Sequence, residues 1–474
     1  MRLTSTRNPA LRVSFKEAVL RNLPAPQEGA GLFVPAELSP WADAAELLDL
    51  PWPERCTEIL VRLLAPEYSR QELAEIVREA FDFPVPLVPL APVAKDAASK
   101  PAPDTPAAGT SAPVVAMPKE PSPAMMAMMA PASDSRLFAL ELFHGPSLAF
   151  KDFGARFLAA VLARLPARRP RTVLTATSGD TGAAVAAAFW RRPGCRAAVL
   201  YPEGRISPLQ ERQVACLGDN VLALAVEGTF DDCQRLVKAC FADLELSAEL
   251  GLTSANSINV ARLVAQVLYY FEAAAQLRQL APGAGPPLIA VPSGNFGNLC
   301  AGLYARELGL PAASFVAATN ANRTVPDYLD GGSYQPRPGI ATLSNAMDVG
   351  DPSNWERIVH LYRRDWEALR RALRWGSLDD RATVEVLRRL WARGYRADPH
   401  GAVASGVLES VLRPGETGIF LATAHPAKFQ AALAAYGLEP SLPPALRALL
   451  DRPLQREVLP AGEESLKARL RAGW

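Results

Sequence analysis

A lysine stands between two phenylalanines, Phe150 and Phe153, just after a Gly145-Pro146 turn, in the run from Glu141 to Gly154. Apolar surroundings disfavour an ammonium and draw a lysine pKa from about 10.4 toward neutrality. A neutral amine is a nucleophile toward aldehydes. Lys151 fits that description. It fits equally a half-buried lysine whose stem crosses an apolar helix start and whose charge reaches water. Two glycine-bearing turns, Ser178-Gly179-Asp180-Thr181-Gly182 and Ser293-Gly294-Asn295-Phe296-Gly297-Asn298, each follow an apolar run and open a helical one. Glycines let backbone approach a ligand, and the first N–H groups of a helix lack partners and carry partial positive charge. The second turn is therefore a seat for a phosphate, and the first could hold a carboxylate. Each could also be a tight turn ahead of a capped helix. Asn256, Asn259 and Arg262 recur at i, i+3 and i+6, near one helical face, and a guanidinium grips phosphate with two parallel bonds. A capped amphipathic helix has the same spacing.

Chemistry at these positions needs elements that hold them. Val173–Thr177, Ala197–Tyr201, Val221–Val226, Leu288–Val291, Phe315–Ala318 and Gly418–Ala422 read as short apolar strands. Helical runs lie among them at Ala183–Trp190, around Leu209–Leu217 and at Asp231–Phe241. Strands alternating with helices predict parallel sheet covered on both faces, an α/β fold. Two such series predict two α/β lobes, residues 136–285 carrying Lys151 and residues 286–474 carrying the phosphate turn. Ligands then sit where the carboxyl ends of strands face a cleft. Residues 1–91 read as a mostly helical N-terminal unit, with a Ser14–Glu17 capping pattern, an extended piece at Gly31–Pro35 and helical periodicity over Tyr68–Phe81. Residues 92–135 are rich in Ala, Pro, Ser and Lys and read as a disordered linker.

The chain has 474 residues and a net charge of +1, so no general basic field marks it for nucleic acid or a membrane surface. Its partner is expected to be a small molecule held by local charges, and its state a monomer or homodimer. The six cysteines form no CxxC pair, and buried free thiols in a reducing cytoplasm are expected. The four histidines are scattered without metal-ligand spacing. No apolar stretch is long enough to span a bilayer, and the N-terminus has no apolar signal core.

Five strings resemble those of threonine synthases, in the same order and at similar spacing. They are Phe143–Gly154, Thr175–Ala183, Asn256–Arg262, Pro292–Gly297 and Thr423–Lys428. Ser147 stands where the family usually has threonine. The likeness is loose over residues 1–90, close from 137 onward, and nearer the longer bacterial and fungal branch. It implies a two-lobed fold of the tryptophan synthase beta type (fold type II), with pyridoxal 5'-phosphate on Lys151. It assigns Gly294, Asn295, Phe296 and Asn298 to the cofactor phosphate and Asn256 to its phenolic oxygen. The Thr423 hydroxyl falls to the pyridine nitrogen, although a threonine at a strand end also suits a simple backbone bond. On the substrate side it assigns Ser178, Asp180 and Thr181 to a carboxylate, and Asn259 and Arg262 to a phosphate. Related enzymes often carry Asn at the Asp180 position, which leaves the task of Asp180 open, since two carboxylates repel. The implied substrate is O-phospho-L-homoserine, turned with water into L-threonine and phosphate. A phospho-lyase or a threonine-dehydratase-like enzyme would share the same lysine and phosphate turn.

Overall fold

Side-chain caps start two of the N-terminal helices. The Ser14 hydroxyl accepts the Glu17 N–H at 3.1 Å ahead of the helix Phe15–Arg21, and Ser69 and Glu72 form a reciprocal capping box ahead of Arg70–Ala80. The extended piece pairs as Phe33–Pro35 (β2) against Leu3–Ser5 (β1). The computed structural model describes residues 1–24, 28–91, 136–167, 169–177 and 179–473. The expected linker and Ser178 lie outside the described residues.

Two larger sheets follow. Arg171–Ala176 (β5), Cys195–Pro202 (β6), Val221–Glu227 (β7) and Leu252–Thr253 (β8) make a parallel sheet, which Arg456–Pro460 (β13) extends beside β7 in the order β13-β7-β6-β5-β8. The second sheet has the order β11-β10-β9-β12-β4-β3. It contains Leu87–Pro89 (β3), Arg136–Glu141 (β4), Leu288–Pro292 (β9), Ser314–Thr319 (β10), Leu373–Ser377 (β11) and Thr417–Ala422 (β12). All of its pairs are parallel except β3 with β4. Every residue of β9 and of β12 is buried, as strands covered on both faces must be.

Sheet membership departs from the expected division at 285/286. β4, which precedes the lysine, pairs with β12, while β13, close to the C-terminus, pairs with β7. The two sheets thus exchange strands. Among the described residues no helix is long and apolar enough to cross a membrane, and all six cysteines are buried and free.

The helix Lys151–Arg164 is fastened to the N-terminal unit. Fully buried Phe153 packs against Phe81 (5.7 Å between ring centres), Phe83 (5.0 Å) and Tyr269 (5.1 Å). Three positions along the same helix, Arg156 donates from Nε to the Ala80 carbonyl at 2.9 Å. Truncating a core phenylalanine removes its transfer energy and leaves a cavity. Phe153→Ala is therefore expected to destabilise the protein by about 3–5 kcal/mol, read from urea melts. A loss under about 1 kcal/mol would mean that this aromatic cluster does not hold the lysine helix.

Candidate active site

Lys151 is the first residue of its helix, and no side chain caps it. Backbone bonds to the chain around the end of β12 do the positioning. Leu142 N–H donates to the Ala422 carbonyl (2.9 Å), Phe150 N–H to the Thr423 carbonyl (2.8 Å), and His425 N–H to the Leu148 carbonyl (3.0 Å). Between these bonds Leu148 takes a φ of 57°, a left-handed turn uncommon for a residue with a branched side chain. The lysine loop and Thr423 therefore form one unit. The side chain of Lys151 is half-buried. Burial of the amine lowers its pKa to about 8. Asp180 pulls it up, and Lys428 and Arg262 push it down. The expectation of a depressed lysine is met, with desolvation as its leading cause.

Arg262 lies alongside, buried, in the first turn of the helix Val260–Leu280. Its Nη1 donates to the Ala255 carbonyl at 2.6 Å, and its Nε finds no acceptor. Burial alone lowers its pKa to about 10, with no anion facing it. Gly154 makes the approach possible, because a Cβ there would fall 3.0 Å from Arg262 Nε. A buried guanidinium left without an anion is costly unless a ligand supplies one.

Asp180 opens the helix Asp180–Phe189, and Thr181, half-buried, follows it. Burial would raise the Asp180 pKa, but Lys428 and Lys151 hold it far below the ordinary carboxylate range. Its Oδ1 accepts from Lys428 Nζ at 2.8 Å and from Gln210 Nε2 at 3.2 Å. Thr177 shapes the turn, its hydroxyl accepting the N–H groups of Gly179 (2.9 Å) and Gly182 (2.8 Å).

The turn Ser293–Asn298 follows β9 and opens a helix, as its sequence implies. Phe296 sits in the left-handed region (φ 58°) as the residue before the helix Gly297–Glu307. Among the described residues, the N–H groups from Asn295 to Asn298 donate to no protein acceptor. Gly294 is backed by the segment Asn345–Met347, where a Cβ would stand 2.7 Å from the Ala346 carbonyl oxygen. That backing is itself braced. Asp398 Oδ2 lies 2.6 Å from His400 Nδ1, and His400 Nε2 accepts the Ala346 N–H at 3.2 Å. Asn256 lies near this turn, joined through its neighbour Ser257, which bonds Asn295, and its Oδ1 is buried without a partner.

Two expected ligand contacts turn elsewhere. Asn259 caps its helix by accepting the Ala261 N–H, and its Nδ2 donates to the Val19 carbonyl at 3.1 Å. Its amide is thus committed to joining the N-terminal unit, and it is withdrawn as a phosphate contact. Asn298 points its Oδ1 at the hydroxyls of Tyr269 (2.5 Å) and Tyr270 (2.6 Å), which leaves its backbone N–H as its contribution to the turn. Asn295 also bridges loops, its Oδ1 accepting the Ser353 N–H at 2.6 Å. Sequence reasoning missed Lys428, Gln210, His400 and Asp152. Lys428 lay within the Thr423–Lys428 string, and nothing local marks its distant partner.

Asp152, next to the lysine, is fully buried and receives the Ser147 N–H at 2.9 Å. Burial lifts its pKa to about 6 against the Ser147 hydrogen bonds and the charges of Lys428 and Arg156. A folded-state pKa above the unfolded value adds stability at low pH that fades as pH rises through about 6. Asp152→Asn keeps an acceptor for Ser147 and does not titrate. Its stability relative to the parent should therefore improve between about pH 4 and pH 7 in urea melts of cofactor-free protein. A constant difference across that range would place the Asp152 pKa at an ordinary value.

The residues present fit a pyridoxal phosphate. They offer an amine of lowered pKa, a turn of unpartnered N–H groups at a helix start, an orphaned buried Asn256 oxygen and a strand-end hydroxyl. Comparison with known proteins agrees. The family model described as "Pyridoxal-phosphate dependent enzyme" matches residues 122–422, "Threonine synthase N terminus" matches 2–81, and "Threonine synthase, C-terminal" matches 401–469. A threonine synthase of Escherichia coli (strain K12) is 42% identical over 471 residues, 98% of each chain. One from Haemophilus influenzae is 44% identical over 431 residues, 91% of this chain and 90% of its own. Among solved structures, threonine synthase from Escherichia coli covers 100% of both chains with a TM-score of 0.83 at 42% identity. Threonine synthase from Brucella melitensis, solved with bound pyridoxal phosphate, has a TM-score of 0.82 at 33% identity and covers 100% of this chain and 99% of its own.

Proposed function

Because the chain belongs to the threonine synthase family of pyridoxal-phosphate dependent enzymes, we propose a division of labour among its site residues. The activity is that of a threonine synthase, in which O-phospho-L-homoserine and water become L-threonine and phosphate. The Lys151 amine holds the cofactor. The N–H groups of Asn295–Asn298 seat its phosphate, Asn256 meets its phenolic oxygen, and the Thr423 hydroxyl meets its ring nitrogen. A hydroxyl at that nitrogen imposes no charge on it. When bound, pyridoxal phosphate supplies the electron sink for carbon acids.

The remaining chemistry belongs to the chain. With a pKa near 8, the Lys151 amine exchanges protons at neutral pH, so once free it removes the proton from the substrate's Cα and returns one later. Arg262 offers its unpaired Nε to the substrate phosphate and steadies the charge that grows there as the group leaves. The turn of Gly179–Gly182 receives the α-carboxylate on the N–H groups of Asp180 and Thr181 and on the Thr181 hydroxyl, the N–H groups of Gly179 and Gly182 being held by Thr177. The observation that carries this reading is the pairing of a depressed lysine with a buried guanidinium that faces no anion. Incubating the holoenzyme with O-phospho-L-homoserine while measuring phosphate, threonine and 2-oxobutyrate tests it. Equal release of phosphate and threonine is expected. Phosphate accompanied by 2-oxobutyrate would instead assign the chain a lyase or dehydratase outcome.

A further inference from the structure

The turn between β5 and its helix has to receive a substrate carboxylate while carrying a carboxylate of its own. Two like charges a few ångströms apart repel strongly where water is scarce. Behind Asp180 stands Lys428, in the short helix Pro426–Phe429 that follows Thr423. The Lys428 side chain has no exposure at all, whereas that of Asp180 keeps 6%, so an arriving ligand meets the carboxylate and not the ammonium. Lys428 Nζ lies 2.8 Å from Asp180 Oδ1 and donates to the Ser147 carbonyl at 2.6 Å. Gln213 Nε2 donates to that same carbonyl at 3.0 Å, and the Ser147 N–H is bound by Asp152. One polar chain thus runs from the lysine helix through Ser147 and Lys428 to the carboxylate turn.

We propose that Lys428 is a positioning residue for the reaction: by neutralising Asp180 from behind, it lets the Gly179–Gly182 turn accept the substrate's α-carboxylate. The inference rests on the assignment of that turn to the carboxylate. It also gives Asp180 a task. Held ionised and fixed, Asp180 is no proton shuttle. It is a permanent anion that counters the surplus of cations around Lys151, Lys428 and Arg262. The titratable groups facing it are Lys428, Lys151 from the lysine helix and His400 from the helix Pro399–Val411. Neutral Gln210 completes its surroundings from the helix Pro208–Ala215.

The test is the pH dependence of KM for O-phospho-L-homoserine in the Lys428→Met holoenzyme, as a ratio to the parent. Without its cation, Asp180 is a buried acid whose folded-state pKa rises, so it is charged at high pH and neutral at low pH. The ratio should be about tenfold or more at alkaline pH and fall toward one as pH drops. Asp180→Asn/Lys428→Met, which has neither charge, should show a KM ratio that no longer changes with pH. Urea melts of the cofactor-free proteins read the same effect without turnover: the single variant should gain stability relative to the double variant as pH falls. A ratio for the single variant that stays flat with pH would overturn the proposal, as would a folded double variant whose ratio rises with pH as steeply as that of the single variant. If Lys428→Met fails to fold, Lys428→Gln, which keeps a donor for the Ser147 carbonyl, replaces it under the same criterion. Threonine formation by the parent in the same assay keeps this outcome separate from the assignment of the activity.

Discussion

Replacing Lys151 with alanine abolishes threonine formation, by roughly 10³-fold or more, together with the visible absorption that a lysine-held cofactor gives. The expectation follows from the site's composition. Lys151 is half-buried and depressed to about 8, whereas Lys428 is locked against Asp180 and the Ser147 carbonyl and has no exposure. Among the described residues no second amine is placed to substitute. Alanine also removes a desolvated charge, so the cofactor-free variant should melt no earlier than the parent. A normal melt with lost absorption and turnover separates chemistry from folding. Retained absorption and near-normal turnover would remove Lys151 from the centre of the site.

Arg262→Ala should raise KM for phosphohomoserine far more than it weakens cofactor binding. The guanidinium is buried and, among the described residues, engages the Ala255 carbonyl alone and carries a free Nε. Removing one partner of a buried charged contact costs about 2–5 kcal/mol, which corresponds to roughly 30- to several-thousand-fold in KM. Arg262→Lys restores the charge without the planar fork and should recover only part of the loss. Cofactor affinity, read by equilibrium dialysis, should stay close to parental, because the Asn295–Asn298 turn serves the other phosphate. A variant that sheds cofactor but binds substrate normally would reverse the two assignments.

Strands buried on both faces were legible because they are continuous apolar runs: β6, β7, β9 and β12 fall within a residue or two of their expected limits. β11 and β13 carry no such signal. Both lie at sheet edges and keep polar, partly exposed residues such as Arg374 and Glu457. That β4 joins β12 while β13 joins β7 is a matter of pairing between distant segments, which no local pattern encodes. The site divides in the same way. The apolar surroundings of Lys151 and the placing of both glycine turns at helix starts are local features, and the structure shows them. Asn259 shares the spacing of Asn256 and Arg262, yet as a helix cap its amide is claimed by Val19, far away in the chain. Asn298 is claimed by two tyrosines of another helix, and Lys428 by Asp180. In each case the deciding partner is remote in sequence.

The exchange of strands between the sheets sets a timetable for biogenesis. β12 lies between β9 and β4, and the residues at its end bond Leu142 and Phe150 beside the lysine. While residues 417–422 are still to be translated, β4 lacks its parallel neighbour and the lysine loop lacks its anchors. The five-stranded sheet waits longer still for its edge at 456–460. Pairings of such long separation form slowly, and they leave strand edges open in the interval. The nascent chain therefore emerges with its reactive lysine made early and its binding cleft completed late. A cleft that needs residues 417–422 cannot be complete before they are made, and until then β4 keeps an open edge.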